Sequence, residues 1–247
     1  MTEAAGHSPS PDGLRPLALL ALGRTGADIE RLVREVRRKL RREGRTMVWD
    51  DLETALCDGQ AAMSDDLRWR ASVHEAGHAL VYTLTGIAEV KAASIGLHGL
   101  GMVATVANDR LPQNEAWLMN AMAAILAGRA AELLLFGETL AGAGGADESD
   151  LARATDMALA AETRLGFSGH QPLLYRPPNA AMNELALDRD LAGRVHTRLL
   201  AAEAIARRLL EEHRERHHDI ARRLAAVGIV SGDELREMIG GAKDTAV

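Results

Sequence analysis

Apolar residues recur at helical spacing along most of the chain and alternate with polar residues in one short stretch. Between Ile29 and Leu40 they fall three or four positions apart, which predicts a helix with one apolar stripe. Strands are predicted at about 92–97 and 101–107, separated by a glycine-containing turn. The other predicted helices cover about 49–57, 65–85, 112–136, 147–165, 187–213 and 217–227, and a short one begins after Ser231. This pattern predicts a mainly α fold with a small β-sheet.

Changes in residue type along the chain predict three parts. Residues 1–14 are polar and proline-containing, which is typical of a disordered tail. Residues 15–62 form a short helical segment, and a glycine-containing linker near its end leads into a larger domain over residues 63–247.

Composition narrows the function classes. Hydrophobic residues make up 47% of the chain and charged residues 26%, as in ordinary soluble proteins. The formal charge of −6 argues against general nucleic-acid binding. A single cysteine, Cys57, excludes an intrachain disulfide and a cysteine-based zinc site. Because there is no uninterrupted run of about 18 apolar residues and no secretion signal, we expect no membrane span and a cytoplasmic location.

The sequence His74-Glu75-Ala76-Gly77-His78 lies within a predicted helix. Residues four apart share one helix face, so His74 and His78 can direct two imidazoles at one metal ion. Glu75 lies about 100° further round the axis, from where it can activate a water molecule held by that ion. The pattern predicts a zinc site with Glu75 as the catalytic base; the alternative is a pair of hydrogen-bonded core histidines.

A catalytic zinc ion usually has three protein ligands and one open position. Spacing alone leaves the third ligand open among acidic and histidine residues elsewhere in the chain. These candidates are Glu132, Asp147, Glu148, Asp150, Asp156 and His98. The histidines within 213–218 are predicted to be a solvated helix junction rather than a second metal site.

From about Arg68 onward, several motifs occur in a specific order. They are Ser72 to Val81 around the zinc pattern, Gly128-Arg129-Ala130-Ala131-Glu132, Phe136-Gly137-Glu138, Asp150 to Thr155, Leu165-Gly166-Phe167-Ser168 and Gly232-Asp233-Glu234-Leu235. Together they resemble the peptidase domain of the FtsH family, the membrane-bound AAA+ zinc proteases of peptidase family M41. The resemblance covers about 180 residues and implies a helical zinc-peptidase domain with a small β-sheet.

The resemblance also implies roles for particular residues. In that family, the aspartate at the position of Asp150 is the third zinc ligand, although Ser149 stands here where the family usually has Asn. Asp147 would replace it if the preceding loop were displaced. Glu132 is expected to support a ligand histidine. The strand beginning Gly101-Met102-Val103-Ala104 is expected to bind an extended peptide or unfolded polypeptide at its edge.

The first part of the chain resembles the helical lid that ends AAA+ ATPase modules, through the segments 25–33, 44–45 and 50–56. None of the three lysines, Lys39, Lys91 and Lys243, precedes Ser or Thr, so these residues contain no Gly-Lys-Ser/Thr phosphate loop. The expected protein has a lid-like segment and a peptidase domain, without the AAA+ nucleotide-binding core or the transmembrane helices of the family. The resemblance implies a homo-hexamer, and a separate AAA+ ATPase is a candidate partner.

Eight basic residues between Arg31 and Arg45 depart from the lid pattern. Only Glu35 and Glu43 oppose them within this stretch. A solvated helix face is the favoured interpretation, and a docking face for an acidic partner is the alternative.

Three functions remain open at this point. The first is a zinc endopeptidase that cuts unfolded chains or peptides through Glu75. The second is a non-catalytic adaptor or regulator of FtsH-type or other AAA+ assemblies. The third is a structural metal protein with four closed ligands and no bound water.

Overall fold

A computed structural model describes residues 17–18, 21, 24–57, 63–96, 101–177 and 185–240. The chain divides into two compact units. One comprises Met1–Met63 with Gly96–Gly99, and the other comprises Ser64–Ile95 with Leu100–Val247.

The smaller unit contains helix α1 (Gly26–Arg42) and helix α2 (Trp49–Cys57). Thr25 and Asp28 form a reciprocal capping box that defines where α1 begins. The apolar stripe of α1 buries Val36 and Leu40 together with Leu52. The predicted helix with one apolar stripe is confirmed, except that Ile29 at the edge of the stripe is 36% exposed.

The larger unit is mainly helical and carries three short strands. Its elements are α3 (Asp65–Thr85), β1 (Ala88–Ile95), β2 (Gly101–Ala107), α4 (Glu115–Phe136), α5 (Asp150–Thr163), α6 (Arg189–Glu212), α7 (Arg214–Val227), β3 (Ile229–Ser231) and α8 (Gly232–Gly240). The predicted mainly α fold with a small β-sheet is therefore confirmed. Two predicted helices begin about three residues late, because Asn114 and Ser149 are their N-caps.

Helix α3 lies at the centre of the larger core. Its middle turns are buried on all sides, and Val73, Ala76 and Leu80 are fully inaccessible. Helix α4 packs closely against it, since a Cβ atom added at Gly77 would lie 2.7 Å from the Ala127 carbonyl oxygen. The motif helix is consequently a rigid core element, which holds its side chains in defined positions.

The sheet has the strand order β2-β1-β3, and both pairings are antiparallel. In the β1–β2 pair, Ile95 opposes Gly101 and Ala88 opposes Ala107, with an irregularity between Val90 and Ala92. Strand β3 was not predicted, because three residues carry too little alternation to be recognised. Within the described residues, the outer edge of β2 carries no further strand.

Helix α4 is, among the described helices, the one long and apolar enough to cross a membrane by length and composition. Of its most apolar 18-residue window, 67% is buried inside the structure. Both ends are capped, by the Asn114 side chain and by Gly137 at a φ of 74°. This burial is the arrangement expected for a core helix.

Candidate metal centre

Two imidazole rings from adjacent turns of α3 meet edge to face, with an angle of 72° between their planes. The Nε2 atoms of His74 and His78 lie 3.0 Å apart, and the ring centroids are separated by 4.7 Å. The predicted one-turn spacing therefore brings both rings to a single point.

Hydrogen bonds to the opposite side of each ring determine the tautomers. His78 Nδ1 lies 2.8 Å from the Ala124 carbonyl oxygen, and His74 Nδ1 lies 2.8 Å from Glu132 Oε1. Both partners are acceptors, so each Nδ1 carries the proton and donates it. When the rings are neutral, each Nε2 consequently presents a lone pair to the shared point between them.

Asp150 supplies a third donor atom at the same point. Its Oδ2 lies 3.2 Å from His74 Nε2 and 3.1 Å from His78 Nε2. Asp150 is the first residue of α5, and the Ser149 hydroxyl caps that helix by accepting from the Ala152 amide. Ser149 therefore caps the helix, which leaves the Asp150 carboxylate free to reach the shared point.

The other candidates for a third ligand lie elsewhere. Asp147, Glu148 and Asp156 are exposed to solvent. Glu132 contacts the far side of His74 rather than the shared point. His98 lies outside the described residues.

The three donor atoms fit a tetrahedral metal ion. Ligand atoms bound at about 2.0–2.1 Å to zinc lie about 3.3 Å from one another, close to the 3.0–3.2 Å found here. Two lone pairs and a carboxylate directed at one point repel each other unless a cation lies between them. Among the described residues, His74, His78 and Asp150 form a group of three with no fourth ligand. An open fourth position is the pattern of a catalytic site rather than a closed structural one.

Without a metal, the carboxylates around His74 favour a protonated, positively charged His74 ring. Burial disfavours the charged imidazolium, but hydrogen bonds to Asp150 and Glu132 raise the pKa of His74 to about 10. Burial would raise the pKa of Asp150, yet hydrogen bonds from His74 and His78 hold it well below its usual range. The surroundings of this group therefore stabilise positive charge.

Glu75 is buried beside the metal group, which is our name for His74, His78 and Asp150, and does not belong to it. Burial raises the pKa of its carboxyl, and the charges of His78 and His74 oppose that rise. Its side chain lies against Gly101, where an added Cβ would come within 2.6 Å of Glu75 Oε1. The first residue of β2 therefore borders the carboxylate predicted to act as the base.

Glu132 connects three elements through one buried carboxylate. One oxygen accepts from His74 Nδ1, and the other accepts from the Leu140 amide at 2.7 Å. The residue is 2% exposed. The same side chain thus orients a ring on α3 and anchors the loop that leads to Asp150.

Gly128 forms the wall opposite the two rings, and its role was not predicted. A Cβ atom at this position would lie 2.4 Å from His74 Nε2 and 2.5 Å from His78 Nε2. Only a residue without a side chain leaves space at this point. A glycine inside a helix, which costs about 1 kcal/mol relative to alanine, is the sequence signal that indicates such a close approach.

The four residues predicted to bind substrate, Gly101, Met102, Val103 and Ala104, are half-buried on the edge strand β2. The prediction of a solvated junction at 213–218 is wrong for His217. That ring is buried, and its Nε2 lies 2.9 Å from the Val73 carbonyl oxygen on α3. The packing of α7 on α3, which the sequence pattern does not encode, places it there.

Comparison with known proteins bears on this site. A sequence model described as Peptidase family M41 matches residues 61–238. The ATP-dependent zinc metalloprotease FtsH of Thermobaculum terrenum is 30% identical over 92% of this chain and 38% of its own length. FtsH 1 of Symbiobacterium thermophilum is 34% identical over 92% of the chain and 39% of its own. FtsH 3 of Conexibacter woesei is 32% identical over 81% and 29%, respectively. The chain thus spans about two fifths or less of the length of these curated relatives.

Proposed function

The chain belongs to peptidase family M41, and from that premise we propose that it is a zinc-dependent endopeptidase in which His74, His78 and Asp150 hold Zn²⁺. The observation that carries this proposal is the convergence of three donor atoms at 3.0–3.2 Å, with each Nδ1 bonded to an acceptor on the opposite side of its ring. The relatives named above are zinc metalloproteases by name, which supports the choice of ion.

In this proposal, Glu75 is the general base. Zinc bound at the site would polarise the scissile carbonyl and lower the pKa of water beside it. The Glu75 carboxylate accepts a proton from the attacking water and later donates it to the leaving amine. Burial raises the pKa of this carboxyl, which suits a group that must both take and return a proton.

The substrate we propose is an extended polypeptide bound along β2. The outer edge of this strand has no partner strand within the described residues, so its main chain can pair with a peptide. Pairing begins at Gly101, which borders Glu75, and continues through Met102, Val103 and Ala104. Because main-chain hydrogen bonds do not distinguish side chains, unfolded chains of many sequences would be accepted.

Delivery of folded substrates would need a motor. These 247 residues contain no phosphate-binding loop, so we propose that they cut peptides and unfolded chains unaided. Folded proteins would be cut when an AAA+ ATPase supplies them. A homo-hexameric ring and a cytoplasmic location remain predictions of the family resemblance and the composition.

The test compares the purified chain with Glu75→Gln on casein, an unfolded substrate. The variant keeps the side-chain shape but removes the base, so we expect a loss of casein cleavage of at least about 100-fold. Zinc content should stay near one ion per chain in both proteins. Chelation should abolish cleavage in the parent protein, and added zinc should restore it.

Two outcomes would contradict the proposal. Cleavage that survives Glu75→Gln would exclude this base. A zinc-loaded parent chain that cuts neither casein nor peptides would favour the non-catalytic adaptor.

A further inference from the structure

The outer surface of α1 carries an unusual concentration of positive charge. The eight basic side chains of this region are all exposed, and we refer to them together as the basic surface. They are Arg31, Arg34, Arg37, Arg38, Lys39, Arg41, Arg42 and Arg45.

Most of this charge is not neutralised locally. Arg31 pairs with Asp28, Arg34 with Glu30, and Arg45 with Glu43 and Asp51. The remaining five members have no carboxylate within 4.0 Å among the residues that the structure describes. These are Arg37, Arg38, Lys39, Arg41 and Arg42. An external carboxylate would therefore compete with water rather than with an internal partner.

The direction of the basic surface is determined by the opposite face of the same helix. Val36 and Leu40 are buried in the smaller unit, so α1 cannot rotate without exposing them. At about 100° per residue, Arg34, Arg38 and Arg41 lie on the face turned away from that stripe. They repeat at intervals of four and three residues over about 10 Å. A helix or strand with carboxylates at matching intervals could engage all three.

The chemistry favours a short acidic polypeptide over a long polyanion. Exposed Glu35 lies among the arginines, and the whole chain carries a formal charge of −6. A nucleic acid or an anionic bilayer presents an unbroken array of negative charge, which exposed Glu35 and Glu43 within this stretch would repel. A short acidic segment contacts the basic surface alone, where guanidinium groups match carboxylates in bidentate geometry.

Exposed apolar side chains at the end of the basic surface also point to a protein partner. Val48 is 52% exposed and Trp49 is 46% exposed, three and four residues after Arg45. The Asp51 carboxylate accepts from both the Arg45 guanidinium and the Val48 amide, which holds this segment beside Arg45. Tryptophan and arginine are the residue types that dominate protein–protein hot spots. Neither group is needed to complete the core of the smaller unit.

We propose that the basic surface of α1, with Trp49 at its end, is a docking site for an acidic polypeptide segment of a partner protein. The segment carries carboxylates three or four residues apart and an apolar residue that covers Trp49. This site is separate from the proposed peptidase activity and does not depend on it.

The experiment measures binding of a fluorescent peptide of about 16 residues, rich in glutamate at helical spacing and containing one leucine, by anisotropy. The full chain is compared with Arg34→Gln/Arg38→Gln/Arg41→Gln, in which glutamine keeps helix propensity. The matched control, Arg207→Gln/Arg208→Gln/Arg222→Gln, changes the net charge equally on exposed positions of α6 and α7. An oligothymidine of equal charge and vesicles containing anionic lipid are the competing probes.

We expect the triple variant on α1 to bind the peptide about tenfold more weakly, and the control to bind as the parent does. Trp49→Ala, made in the parent chain, should also weaken peptide binding, and the binding that is left should be more sensitive to salt because it is more electrostatic. Circular dichroism confirms folding, and Arg38→Gln alone provides the same comparison if the triple variant loses helicity. Equal losses in both triple variants, no peptide binding by the parent, or tighter binding of oligothymidine or vesicles than of the peptide would overturn the proposal.

Discussion

Each histidine of the metal group uses its two ring nitrogens for different purposes. In His78, Nδ1 donates a hydrogen bond to the main-chain carbonyl oxygen of Ala124, and this acceptor is present whatever side chain stands at position 124. In His74, Nδ1 donates to the Glu132 carboxylate, and a single substitution of Glu132 can remove this acceptor. The metal affinity should therefore depend on Glu132 although this residue does not reach the metal position.

The His74-Glu75-His78 set could be predicted because helix geometry alone relates residues four positions apart. Residue chemistry alone gave Glu132 only as one candidate for the third ligand, and its supporting role was expected through the family resemblance. Gly128 belongs to one of the family motifs, but the sequence predicted no role for it, because its contact with both rings arises from the packing of α4 on α3. Residue spacing within one helix does not encode which residue of a second helix will face it.

Glu132→Gln should weaken zinc binding by about 10- to 100-fold. Glutamine has one acceptor oxygen, whereas the carboxylate accepts from both His74 and the Leu140 amide. One of those donors must then face the amide nitrogen. Zinc affinity measured by competition with a chromophoric chelator tests this expectation. Asp156→Asn removes an exposed carboxylate and should leave the affinity unchanged; an unchanged affinity in Glu132→Gln would refute the role.

Gly128→Ala should abolish zinc binding while the protein remains folded. The new methyl group would lie within 2.6 Å of the His74 and His78 rings and displace them from the shared point. Gly193→Ala is the matched control, because nothing lies within 4 Å of a Cβ at that helical position. The control should bind zinc normally and gain up to about 1 kcal/mol in free energy of unfolding. Normal zinc content in Gly128→Ala would show that α4 can move aside.

At the scale of elements, β3 and the start of α8 both contact β1, the central strand of the sheet whose edge strand borders Glu75. Gly232 begins α8 directly after β3, where an added Cβ would lie 2.0 Å from the Val90 carbonyl oxygen. The irregularity in β1 lies at the same place, between Val90 and Ala92. Local sequence patterns predict α8, through the capping box of Ser231 and Glu234, and β1 separately. They cannot predict β3, because three residues carry too little alternation. They cannot predict this contact either, because it depends on a residue that lacks a side chain.

Gly232→Ala should lower the free energy of unfolding by about 1–3 kcal/mol through overpacking. The contact atoms are main chain, so relief requires α8 or β1 to shift. Gly240→Ala, in the same helix but with nothing within 4 Å of its Cβ, is the control and should be close to neutral. Urea unfolding followed by circular dichroism measures both. Equal stability of the two variants would mean that the junction adjusts without cost.

At the scale of the whole molecule, the candidate metal centre joins segments distant in sequence. His78 and Asp150 are separated by 72 positions, and the loop between α4 and α5 must be held for them to meet. The order of motifs predicted this meeting only through the resemblance to a known family. Residue type and spacing alone left six candidates for the third ligand, because neither shows which helices and loops lie close together in the fold.

The packing of α7 on α3 contributes a second long-range polar contact, and it makes global stability depend on pH. His217 is buried and donates from Nε2 to the carbonyl oxygen of Val73, the residue before His74. Burial lowers the pKa of His217 below its ordinary value of 6.5. As the pH falls through that value, the unfolded chain binds a proton that the folded chain does not. The free energy of unfolding must therefore decrease on acidification.

His217→Gln keeps an amide donor for Val73 but removes the titrating group. Relative to this variant, the parent should lose up to about 1.4 kcal/mol of unfolding free energy per pH unit below about pH 6.5. Urea unfolding at a series of pH values, with chelator present in both proteins, isolates the difference because all other titrating groups are shared. His196→Gln, on the exposed side of α6, serves as the control for removing an imidazole outside this contact. A difference between His217→Gln and the parent that stays constant with pH would show that the folded protein accepts the proton at His217. The contact between α7 and α3 would then be a packing contact without a role in acid stability.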